Sequence, residues 1–180
     1  MIRRIAVILH VACHVASHMA IVTPERNCPA LVFLVAGLLP GEYALRVSEI
    51  VHFVNRGASA VTPAVVERLL HKLPIWKAEF TQINEPRYPH LVDQLEFLAE
   101  VVEDCAEGVY KDLPYCALAG AVFALIYAHN KFDIIPDYHL ELGRGDDSSV
   151  VRAVLIQYEK AFAKYAKTRG IDWNQITSEA

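Results

Sequence analysis

Apolar side chains recur three and four positions apart through most of this chain, the spacing of one face of an α-helix. Ile5, Ile8, Leu9, Ala12, Ala16 and Met19 share one face of a first predicted helix, and Arg3, His10, His14, Ser17 and His18 share the other. Pro29 to Leu39 is a continuous apolar run, too short to cross a bilayer and expected in the core. Glu42 to Arg56 carries Tyr43, Val47, Ile50, Val51 and Val54 on one stripe, and Gly57 reads as its stop.

Thr62 and Pro63 mark the next start, an N-cap followed by a proline where no amide donor is needed. Val66, Leu69, Leu70 and Leu73 follow at helical spacing. Pro74 is expected to open a separate short helix with Ile75, Trp76 and Phe80, closed by Asn84-Glu85-Pro86. Pro89 to about Lys111 turns Leu91, Leu95, Leu98, Val101, Val102 and Cys105 inward. Tyr115 to His129 is apolar on every side, which predicts a central helix, and it is shorter than the roughly 20 residues of a membrane span. Ser148 to Arg169 reads as one long helix with Val151, Val154, Leu155, Tyr158, Phe162 and Tyr165 inside, stopped by Gly170. Trp173 is expected to tie down the tail. No stretch alternates long enough for a strand, so the pattern predicts a single all-α domain over 1–180, a bundle of about seven helices.

Composition changes this picture little. An apolar fraction of 54% calls for broad buried faces, and a formal charge of −4 offers no basic footprint for nucleic acid. Cys13, Cys28, Cys105 and Cys116 lack any Cys-x-x-Cys spacing and sit beside apolar stretches, so buried free thiols in a reducing, cytoplasmic compartment are expected. The basic start and apolar run of residues 1–22 mimic an anchor, but the three histidines favour a packed amphipathic helix.

Candidate chemistry concentrates between the last two long helical patterns. Asp133, Asp137, His139, Asp146 and Asp147 fall within one turn-rich segment. Pro136 forces Ile135 out of helical geometry, the aspartates suit tight turns, and Asp146 or Asp147 suits the cap of the following helix. The structural reading is therefore a connection whose acids turn and cap. The alternative is a divalent-cation site for Mg²⁺, Mn²⁺ or Ca²⁺ built from those carboxylates, with His139 widening the choice to transition metals. A second metal candidate is His10 with His14, one helical turn apart, a spacing suited to Zn²⁺ or Ni²⁺. His18 stands about 12 Å from His10 along the axis, too far to share an ion. No nucleophile motif accompanies these groups, and no catalytic residue is assigned.

Asp133, Ile135, Pro136, Asp137, Gly143, Asp146 and Asp147, preceded by the apolar helix, stand in the register of the YkvA-like family. The chain resembles that bacterial family over roughly Leu113 to Ala163, with Lys131 and Leu140 where prolines are usual. The resemblance implies a helical hairpin joined by an acidic loop, in proteins often described as membrane-associated, and it implies no reaction. The expectation is a module acting by association with itself, a protein partner or a membrane surface. The rival expectation is a metal-dependent hydrolase or metal-binding regulator.

Overall fold

The computed structural model describes residues 41–130 and 145–177, and every regular element among them is a helix. In chain order these are α1 (Gly41–Ser59), α2 (Pro63–Phe80), α3 (Leu91–Glu107), α4 (Tyr115–Asn130), α5 (Gly145–Gln157), α6 (Glu159–Arg169) and α7 (Trp173–Thr177). The all-α bundle expected from periodicity is thus present. The segments predicted at 5–22 and 29–39 lie outside the described residues.

α4 is the centre, packed by α1, α2, α3 and α5. Its composition explains this position. Ala117, Ala119, Gly120, Ala121 and Ala124 are all buried, and their small side chains let neighbouring helices approach on several sides. Leu118, Val122 and Leu125 fill the space between. Around it, α3 buries the predicted stripe of Leu91, Leu95, Leu98, Val101 and Val102, each contributing roughly 1.5–3 kcal/mol when fully withdrawn from water. α3 ends at Gly108 (φ 75°), where the amides of Gly108 and Val109 bond back to Cys105 and Asp104. α6 ends the same way at Gly170, as its sequence predicted.

α4 and α5 run antiparallel. Tyr127 near the end of α4 meets Asp146 at the start of α5, while Gly120 lies against Val154 and Tyr158 further on. Phe97 of α3 gathers the C-terminal elements, with ring centroids 6.1 Å from Phe162, 5.7 Å from Tyr165 and 5.7 Å from Trp173. Gln94 completes the tie by donating to the Ile176 carbonyl at 2.9 Å.

Three helix boundaries differ from the sequence reading. Pro74 does not start a new helix but sits inside α2. Val66, Leu69, Leu73, Trp76 and Phe80 form one unbroken buried stripe, and that burial offsets the cost, about 3 kcal/mol, of a proline within a helix. Tyr158 interrupts the predicted long C-terminal helix, with φ −114° and ψ 26°. Its amide still bonds to Val154 at 3.1 Å and its carbonyl accepts from Ala161 and Phe162, so Tyr158 closes one helical ladder and opens the next. The turn directs Phe162 and Tyr165 onto Phe97.

Gly57 is the third difference. α1 passes through it to Ser59, and the glycine is needed for closeness: a Cβ there would lie 2.0 Å from Cε2 of Phe123. Phe123 is in turn edge-on to Phe53 at 5.4 Å. Replacing Gly57 with Ala gains about 1 kcal/mol of helix propensity but overpacks this contact at a cost of about 1–3 kcal/mol. Gly57→Ala is therefore expected to lower the urea midpoint. A raised midpoint would mean that Phe123 swings aside freely.

Candidate functional site

Of the residues singled out by sequence, Asp146 and Asp147 are described; Asp133, Asp137, His139, His10 and His14 lie outside the described residues. The two aspartates open α5, where negative charge is stabilised by the helix dipole by about 0.3–1 kcal/mol. Both oxygens of Asp146 are engaged. Oδ2 accepts the Tyr127 hydroxyl at 2.7 Å and Oδ1 accepts the Asp147 amide at 3.0 Å. Tyr127 is buried, and Phe53 meets it edge-on at 5.6 Å, which fixes the phenol over the helix start. Asp147 and Ser148 are buried, and Ser149 donates to the Gly145 carbonyl at 2.6 Å. Asp146 thus takes one first-turn amide of α5 and fastens the helix to α4. Among the described residues, no group of three or more His, Cys, Asp or Glu side chains is placed to hold a metal ion.

The same end of α4 carries a contact that sequence reading missed. His129 stacks on Trp76 of α2 at 3.8 Å with rings 14° apart, and its Nε2 stands 3.1 Å from Oε2 of Glu79. Trp76 and Glu79 share one face of α2, yet only the packing of α2 beside α4 reveals their partner.

At the opposite end of α4 lies an open groove of about 550 Å³. It is bounded by Ala58, Ser59 and Val61 from the end of α1 and the following turn, by Pro114, Cys116 and Ala119, and by Tyr158. Its wall is largely apolar. Tyr115 anchors the floor, donating to the Val61 carbonyl at 2.9 Å. Gln157 spans the rim, donating to Asn55 Oδ1 at 2.6 Å and to the Tyr158 hydroxyl at 3.2 Å.

Cys116 is exposed in this groove, contrary to the expectation of a buried thiol, because the first turn of α4 emerges from the core. Cys105 is half-buried, and burial, with Asp104 beside it, pushes its pKa from 9.0 up to about 12. The thiolate is the reactive form. Alkylation of the native protein at pH 8, mapped by peptide mass spectrometry, should therefore label Cys116 well before Cys105. Equal rates would contradict the burial assigned to Cys105. Cys13 and Cys28 lie outside the described residues.

Among the described residues, no helix is long and apolar enough to cross a membrane. No protein-family model, curated protein or solved structure matches the chain.

Proposed function

We propose that the protein acts by association rather than by catalysis, and that the groove at the start of α4 is the surface it offers to a protein partner or a second copy. The observation carrying this reading is the groove's makeup, about 550 Å³ of mostly apolar wall framed by helix ends from α1 and α4. Protein-recognition surfaces combine an apolar centre with a polar rim, here the Asn55–Gln157–Tyr158 group. Kinship with the YkvA-like family belongs to the same proposal. It is supported by the antiparallel α4–α5 pair, with Asp146 in the first turn of α5 accepting the α4 phenol.

Light scattering over a range of concentrations tests the reading. A mass that rises with concentration, and falls back in Cys116→Glu, is expected. A monomer at every concentration that also stays out of the membrane fraction and retains no protein partner would sink it. Thermal melts with millimolar Mg²⁺, Mn²⁺ or Ca²⁺ supply the opposing outcome. A rise in Tm that disappears in the Asp146→Asn, Asp147→Asn double variant would move the function to a metal at the acidic connection.

A further inference from the structure

Gly120 follows Cys116 by four positions on α4, so the two stand on one face of the helix, and Cys116 lines the groove. Against Gly120 lies the ring of Tyr158. A Cβ on the glycine would stand 2.8 Å from Cε2 and 3.3 Å from Cδ2 of that ring, and 3.4 Å from Cγ1 of Val154. The phenol therefore rests on bare backbone, an approach that only glycine permits. Its other sides are taken. Phe162 meets the ring edge-on at 6.3 Å, and both Phe162 and Val154 are without exposed surface. Gln157 donates to the hydroxyl at 3.2 Å. The side left open is the groove, whose wall Tyr158 forms with Cys116 and Ala119.

We infer that Gly120 is the seat that holds the Tyr158 ring back, and that this seat sets the width of the groove. A methyl at position 120 moves the ring by the one free route, outward over Cys116, because a packed interior does not yield on the other sides. The consequence for association rests on the groove being the surface that the protein offers; the seat itself does not.

The Cys116 thiol serves as a reporter in the full chain. Its alkylation is followed by peptide mass spectrometry with a small reagent, N-methylmaleimide, and a bulky one, fluorescein maleimide. In Gly120→Ala the ratio of bulky to small rates should fall by about fivefold or more, the lower end of an overpacking penalty read as a rate. In a Tyr158→Leu background the same substitution should leave the ratio unchanged, since the ring it displaces is gone. A ratio unmoved by Gly120→Ala overturns the inference. So does an equal fall in both backgrounds, which would place the effect in the first turn of α4 itself. If Gly120→Ala does not fold, Tyr158→Leu alone decides: a raised ratio supports the seat and an unchanged one overturns it. Light scattering keeps the two readings apart. If the ratio falls while Gly120→Ala associates as the unmodified chain does, the groove fails as the association surface and the seat stands. If the ratio holds while association persists, the seat alone is lost.

Discussion

Phe162→Ala is expected to lower the free energy of unfolding by about 3–5 kcal/mol, the range for truncating a fully buried aromatic. Phe162 has no exposed surface and meets Phe97 at 6.1 Å and Tyr158 at 6.3 Å, both edge-on. α6 is otherwise polar: Phe162, Tyr165 and Ala166 are its buried residues, so one truncation removes much of what holds it. A domain of this size holds about 5–15 kcal/mol in total, so the variant stands near the limit of folding. Its Tm should fall by roughly 10 °C or more. A urea series would check this. A loss below about 1 kcal/mol would show that α6 docks outside the cooperative core.

Asp104→Ala comes second, at about 2–4 kcal/mol, since it strands a buried phenol and removes a charged acceptor. Asp104 Oδ2 accepts the Tyr165 hydroxyl at 2.7 Å and Arg169 Nε at 3.1 Å, with the Asp104 side chain 13% exposed. Arg169 is nearly half exposed, so solvent screens its share. Tyr165 has no exposed surface, and burial followed by the Asp104 hydrogen bond pushes its pKa upward. Without the carboxylate, a fully buried hydroxyl loses its partner. The sharper measurement is a double-mutant cycle: adding Tyr165→Phe to Asp104→Ala should recover part of the loss, because no stranded hydroxyl then remains. Strict additivity of the two changes would refute a direct coupling between α3 and α6.

The described end of the candidate connection was legible in kind. Acidic residues after a proline and before an apolar stripe announce a helix start, and Asp146 and Asp147 do open α5. Its engagement was not legible. Tyr127 precedes Asp146 by 19 positions, and only the antiparallel return of α5 along α4 brings the hydroxyl onto the carboxylate. The stacking of His129 on Trp76 and the Asp104–Tyr165 bond are hidden for the same reason. Each joins residues on different helices, and spacing along one helix carries no record of which neighbour its face will meet.

What the sequence determined by itself is local. The 3.6-residue recurrence of apolar positions dictates helices and names the inward faces of α3 and the C-terminal pair, and the all-round apolar run of α4 marks it as central. Thr62-Pro63 starts α2, and Gly170 ends α6, because proline needs no amide partner there and glycine tolerates the left-handed turn. The tertiary structure decided what local rules leave open. Pro74 stays inside a helix because burial of Leu73, Trp76 and Phe80 outweighs its lost bond, and Gly57 serves as a notch for Phe123 where a stop was expected. Tyr158 breaks a continuous pattern so that α6 can reach Phe97. In each case a contact between distant residues exceeds a local preference of about 1–3 kcal/mol, and no local reading contains that contact.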